Sequence, residues 1–222
     1  NFATHYFALS GRKLSVYWRD TEFKGMMLLI MTSIIGLSLF LLWQKTYPDF
    51  VTALRHVSFN LISIATDCGF ASVDFGQWPI FAPLVMLLLS CITACAGSTG
   101  GGITMIRTII QTREVGRQMS LLLHPQGIHP LRVNGHIIST SLLSSVLAFI
   151  FLYFSSVVVL TFTLLLSGMD FISSFSAIIA CINNAGPGLG EVGPASNYSG
   201  LTDFQTWVCS FTMLLGRLEI FS

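Results

Sequence analysis

The sequence predicts an all-α membrane protein built from two tandem units, each a spanning helix, a short pore helix, a filter loop and a second helix. Three observations predict it. The chain is 53% hydrophobic and only 9% charged, with mean hydropathy +0.74, well outside the usual soluble range. Thr66-Asp67-Cys68-Gly69-Phe70 and Asn183-Asn184-Ala185-Gly186-Pro187 each follow an apolar segment too short to cross a bilayer. An offset of 117 residues lays one loop on the other, Gly69 on Gly186. The same order of span, short helix, loop and span surrounds both, which marks an internal duplication.

Residues 1–24 form a linker carrying Arg12, Lys13, Arg19 and Lys24. Gly25 to Trp43 is uncharged, extended by Phe23, and long enough for a tilted span. Pro48 and Asp49 then start a helix from Phe50 to Ala65. It would measure roughly 24 Å against a hydrocarbon core of roughly 30 Å, and its Arg55, His56 and Asn60 exclude contact with lipid. Pro79 opens the segment Ile80 to Ala96, which runs into Gly97-Ser98-Thr99-Gly100-Gly101-Gly102 before a helical pattern resumes at Ile103. That is a broken membrane helix, and it completes a first unit over 25–123.

A second linker, 124–136, contains His124-Pro125 and His129-Pro130. The second unit, 137–222, begins with a span from Ile137 to Leu166 that Gly168 ends. Asp170 is the N-cap of a short helix through Ile182, and Thr202 or Asp203 caps a last span reaching Ser222. Because the chain starts at Asn1 and ends while still apolar, it reads as a fragment of something longer, truncated in its last helix.

The net charge of +1 carries no nucleic-acid signal. The basic residues cluster, however, in the first linker and again at Arg107, Arg113, Arg117 and Arg132, whereas residues 71–78 and 188–203 hold Asp74, Glu191 and Asp203 without Lys or Arg. The basic stretches are therefore expected in the cytoplasm and both filter loops on the opposite side. The cysteines, Cys68, Cys91, Cys95, Cys181 and Cys209, lie in or beside apolar runs and read as small hydrophobes. Cys91 and Cys95 share a helix face, but no His or carboxylate completes a transition-metal set.

Alkali cations need oxygens to replace lost water, and a backbone segment supplies them without formal charge. Gly69 and Gly186 give access to dihedrals that turn adjacent carbonyls toward one axis, and Phe70 and Pro187 are placed to brace them. The C-terminal ends of the two short helices add partial negative charge. For the side chains of Asp67, Asn183 and Asn184 two readings stand side by side: direct ligation, or hydrogen bonds that hold the loops. The run Gly97 to Gly102 lacks the Lys-Ser/Thr and the preceding strand of a phosphate cradle. With four glycines in six residues it exceeds what a kink needs, and it reads as a loop in the conduction path that obstructs flow at rest. Arg217, about 21 Å down the last helix, matches the depth of Gly97 at about 26 Å. It needs a partner or a water-filled cavity there, or it snorkels to the surface. No paired nucleophile and base suggests an enzyme. The alternative to a pore is a secondary transporter of a small solute using broken helices, against which both loops face the same side.

Asn183-Asn184-Ala185-Gly186-Pro187-Gly188, Gly97 to Gly102, Trp18-Arg19-Asp20 with Glu22-Phe23, and Gly216-Arg217-Leu218-Glu219 together resemble the Trk/Ktr/HKT superfamily of potassium transporters, closest to its bacterial TrkH branch. The resemblance covers nearly the whole chain. It implies the third and fourth of four repeats around one pore, half of a potassium-channel-like fold, in a multi-pass protein of the bacterial inner membrane. It implies potassium-binding filter positions at Thr66, Asp67, Cys68 and Gly69 and at Asn183, Asn184, Ala185 and Gly186. It implies a gate at Gly97, Ser98, Thr99, Gly100, Gly101 and Gly102 with Arg217 below the filter. Potassium uptake, by channel-like conduction or symport, would follow, with K+ as the transported ion and no organic cofactor. The implied assembly is a homodimer gated by cytosolic TrkA-type nucleotide-binding regulatory subunits. The sequence departs from the family's pattern at Thr104, where many relatives carry lysine, and at Asp67 and Cys68, where uncharged residues are common.

Overall fold

The structure, a computed structural model, describes residues 6, 9–11, 17, 20–95, 100–124, 130–133 and 136–218. Helix α1 (Thr21–Trp43) starts four positions before the expected Gly25, because the Asp20 carboxylate accepts from the Glu22 N–H at 3.0 Å and caps it. It buries one stripe, Ile30, Ile34, Leu37 and Leu41, and leaves Leu28, Met31, Ile35 and Leu39 exposed. A helix apolar all round with one stripe against protein is a lipid-facing helix. Only α1 and α5 (Thr140–Leu166) are, among the described residues, long and apolar enough to cross a membrane.

Between them lie α2 (Phe50–Ala65), with the bounds expected, α3 (Phe81–Thr93) and α4 (Met105–Leu123). The span expected to reach Ala96 stops at Thr93, where Ala94 turns extended with ψ 134°. Cys91 and Cys95 consequently do not share a helix face: the Cys91 thiol donates to the Leu87 carbonyl at 3.3 Å, while Cys95 Sγ lies 3.5 Å from Met26 Sδ. The expected start of the next span at Ile137 is also displaced. His136–Ile137 pairs antiparallel with Arg132–Val133 in a short β1-β2 ladder, and Ser139 caps α5. This hairpin is tied to α4 by an Arg113 guanidinium donating to the Arg132 carbonyl, and α4 to α5 by Arg107 standing 4.0 Å over the Phe149 ring.

In the second unit α6 (Phe171–Asn183) has Asp170 as N-cap, accepting from Ile172 and Ser173 N–H groups at 3.1 and 3.2 Å. Helix α7 (Asp203–Arg217) begins at Thr202 with a reciprocal cap between Thr202 and Gln205. One apolar core joins both units, running from Leu41 of α1 through Leu61 and Met86 to Ile178 and Ile182 of α6 and Leu164 of α5. Every residue from Ser176 to Asn183 is buried, so α6 stands inside protein although no flanking helix is polar enough to have predicted it. In lipid such packing, more than expulsion from water, holds helices together.

Candidate functional site

The two loops that the sequence marks as filter candidates share their left-handed turn and two backbone hydrogen bonds at the offset read from the sequence. Asp67 and Asn184 occupy the left-handed region at φ 56° and 59°, and Gly69 and Gly186 follow at 77° and 98°. The Asp67 N–H bonds the Ile64 carbonyl and the Asn184 N–H the Cys181 carbonyl, both at 3.1 Å. Cys68 and Ala185 then bond Ser63 and Ala180, at 2.8 and 2.9 Å. Asp and Asn are the non-glycine residues that tolerate φ > 0 best, which accounts physically for Asp67 where a β-branched residue would be strained. The loops also meet: a Cβ on Gly69 would overlap the Ala185 carbonyl oxygen and stand 3.5 Å from Pro187 Cδ. Pro187 thus braces Gly69, whereas Phe70 is 70% exposed.

Behind each loop a buried polar residue of the pore helix receives the returning backbone. Asn60, fully buried, accepts from the Ser72 N–H at 2.9 Å and donates to its hydroxyl at 3.0 Å. At the corresponding place Ser176 accepts from the Leu189 N–H at 2.8 Å, and Ser173 from the Glu191 N–H at 2.9 Å. The last carbonyls of α2 are occupied as well, Ala65 by the Thr93 hydroxyl and Ile62 by the Thr66 hydroxyl at 2.7 Å.

The break in α3 is a closed excursion. The chain leaves at Ala94 and returns with Ile103 N–H on the Cys91 carbonyl at 2.8 Å and Met105 N–H on that of Ala94 at 2.7 Å. Gly97, Ser98 and Thr99 lie outside the described residues. Gly100, Gly101 and Gly102 run directly against both filter loops. A Cβ at Gly100 would come 2.7 Å from Asp67 Oδ2, and one at Gly101 would come 2.6 Å from the Ile182 carbonyl oxygen. The Gly101 N–H donates to the Asn183 carbonyl at 3.1 Å. The excursion ends at Thr104 with φ 66°, a costly backbone for a β-branched residue.

The side chains separate the two readings left open by the sequence. Asn183 is fully buried and fully engaged: its Oδ1 accepts from the Tyr153 hydroxyl at 2.8 Å, and its Nδ2 donates to Ser90 Oγ at 2.9 Å and Cys91 Sγ at 3.3 Å. It holds the loop to α3 and α5. Asn184 reaches the Met213 carbonyl at 3.5 Å. Both carboxylate oxygens of Asp67 are shut off from solvent without a hydrogen-bond donor among the described residues. Arg217 is exposed and follows Gly216, where a Cβ would overlap the same Ile182 carbonyl that Gly101 approaches. This sets Arg217 near the glycine run; Trp18, Arg19 and Glu219 lie outside the described residues. Sequence reading missed Tyr153, Ser90, Ser173, Ser176 and Tyr198. The one signal for the two pore-helix serines was polarity inside a short helix, Ser173-Ser174 and Ser176, matching Asn60 in the other unit.

A family profile described as TrkH, cation transport protein, matches residues 2–222. The Trk system potassium uptake protein TrkH of Vibrio parahaemolyticus is 37% identical over 224 residues, spanning 100% of this chain and 46% of that protein. Its Salmonella typhimurium namesake is 33% identical over 222 residues with the same shares, and the Escherichia coli protein TrkG is 34% identical over 223 residues, 45% of its length. The crystal structure of the potassium transporter TrkH from Vibrio parahaemolyticus matches with TM-score 0.92 at 36% identity, over 100% of this chain and 47% of that one. The chain therefore spans about half the length of the curated relatives it matches, with their helical architecture. It is accordingly a membrane protein that belongs to the TrkH family of cation transport proteins.

Proposed function

We propose that this chain supplies two of the pore repeats of a potassium uptake protein, 25–123 and 137–222 joined by the linker 124–136, acting as the third and fourth of four. Potassium is ligated chiefly by backbone carbonyls of Thr66, Asp67, Cys68 and Gly69 and of Asn183, Asn184, Ala185 and Gly186. The observation that carries this reading is the pair of loops with matched dihedrals, Gly69 at 77° and Gly186 at 98°, touching at Gly69 and Ala185. Two backbone segments repeating one geometry side by side are what a ring of carbonyls around an axis requires. The run Gly97 to Gly102 obstructs flow at rest, since irregular backbone at membrane depth is tolerated where it lines a cavity or packs on protein, and Arg217 holds the closed state with it.

The protein works in the bacterial inner membrane with the filter loops outward and the basic stretches in the cytoplasm, as a homodimer gated by TrkA-type regulatory subunits. The names of the relatives, potassium uptake proteins of the Trk system, favour this over a small-solute transporter. The test is ion uptake. The protein expressed from its complete gene, in cells lacking their own potassium uptake systems, should restore growth at low potassium and take up rubidium in preference to sodium. Equal uptake of the two ions, or none with the protein in the membrane, would refute the proposal.

A further inference from the structure

We propose that Tyr198 is a positioning residue for selectivity: its hydroxyl holds the carbonyl of Gly186 in the direction the second filter loop needs. The inference rests on the reading of Asn183 to Gly186 as a filter. The Tyr198 hydroxyl donates to the Gly186 carbonyl oxygen at 2.9 Å, across twelve positions of sequence. Its backbone is fixed for that purpose. The 3-10 turn Tyr198–Gly200 is capped by the Asn197 carboxamide oxygen, which accepts from the Ser199 N–H at 3.1 Å, and closed by the Leu201 N–H on the Tyr198 carbonyl at 3.2 Å. The Tyr198 ring packs on the apolar core, so the hydroxyl is delivered by a rigid arm.

The need for such an arm is visible at the glycines. Around Gly69 the Ala185 carbonyl and Pro187 leave no room for a Cβ, so close contact restrains that loop in addition to its backbone hydrogen bonds. Around Gly186 nothing lies within 4 Å of where a Cβ would stand. With φ at 98° and open space where a side chain would stand, Gly186 is not wedged in place as Gly69 is. The Tyr198 hydroxyl supplies the missing restraint while occupying one of the two lone pairs, leaving the other for an ion or its water. A carbonyl free to swing ligates a small ion as readily as a large one, so its release weakens discrimination more than throughput.

The experiment is Tyr198→Phe, which keeps the ring and removes the donor, in the protein expressed from its complete gene. Rubidium and sodium uptake are measured in parallel, with membrane content of the protein quantified. The expected result is a rubidium-to-sodium ratio lowered about 2- to 10-fold, the range one neutral hydrogen bond supports, with the maximal rubidium rate within about twofold of wild type. An unchanged ratio would overturn the proposal. A fall in rate at constant ratio, or failure of the variant to enter the membrane, would also overturn it by assigning the hydroxyl to folding. A wild-type protein that does not discriminate between the ions is a separate result, which refutes the filter reading itself.

Discussion

The two units share the backbone of the loop after their short helix and differ in what comes after it. Both short helices end in the same left-handed turn and the same pair of backbone hydrogen bonds, yet α3 ends at Thr93 in an extended Ala94, from which the chain later returns onto Cys91 and Ala94, whereas α7 runs as one helix from Asp203 to Arg217. The break in the first unit serves the second: Gly101 and Gly102 pack on Ile182 and Asn183, at the end of α6. Duplication has thus kept the backbone that presents carbonyls and let the side chains and the second helix specialise. The glycine run is tolerated because another repeat covers its polar backbone.

This difference is most sharply tested at the two filter glycines. Gly69→Ser combines an unfavourable φ with overlap against the Ala185 backbone, while Gly186→Ser meets only the dihedral cost. Serine at Gly69 should therefore cut rubidium uptake about tenfold or more. Serine at Gly186 should mainly admit sodium, with a smaller loss of rate. Equal effects on rate at the two positions would show that the loops do not press on each other in the working protein.

A second contrast lies at Asn183 and its counterpart Thr66. Asn183→Ala strands the Tyr153 hydroxyl, Ser90 and Cys91 in a buried site and should cost about 2–3 kcal/mol. Thr66 is exposed and bonds only its own helix and Cys68, so Thr66→Ala should cost under about 0.5 kcal/mol. Thermal unfolding of the purified variants in detergent measures both. A small loss at Asn183 would restore the alternative in which its side chain faces an ion.

How far the sequence reveals all this depends on the range of the interaction. The short helix Phe50–Ala65 is legible to the residue because Pro48, Asp49 and Thr66 bound it locally, and Asp170 and Thr202 announce their helices as caps. The offset of the repeat is legible because both loops keep a glycine in register. The Asn183 network is not, since its partners stand 30, 92 and 93 positions away and are chosen by packing. Nor is the return of the glycine excursion at Thr104, whose φ of 66° no propensity favours. The β1-β2 ladder of two residues per strand is too short for any alternation to mark.

A third prediction concerns the excursion itself. Gly101→Ala would push the loop off the Ile182 carbonyl, and Arg217→Ala would remove the cation one residue beyond Gly216, which rests on that same carbonyl. Each should raise flux in the absence of regulatory subunits, roughly 2- to 30-fold, the span of coupling energies for such positions. Their combination should add little beyond the larger single effect, because both release one barrier. Fully additive effects would assign Arg217 to a place away from the loop, as a snorkelling anchor.

The smallest expected effect separates the helix starts. Asp170 accepts two backbone N–H groups, and its hydrogen bonds with Ser173, side chain first and backbone after, hold its carboxyl below the usual carboxylate range. Asp49, at the N-cap of α2, makes no such side-chain bond. Asp170→Ala should therefore cost about 1 kcal/mol, and Asp49→Ala only a few tenths, from the loss of a negative charge near the helix N-terminus. The pH dependence has a definite sign. A carboxyl whose folded value is depressed contributes its full stability above its unfolded value, about 3.9, and loses it as acid carries the pH down through the folded value. The Asp170→Ala difference in unfolding temperature should accordingly be complete at neutral pH and shrink only below about pH 4. A difference at Asp170 that persisted in strong acid would mean that the side chain acts by packing rather than as a charged cap, and the two helix starts would then be alike.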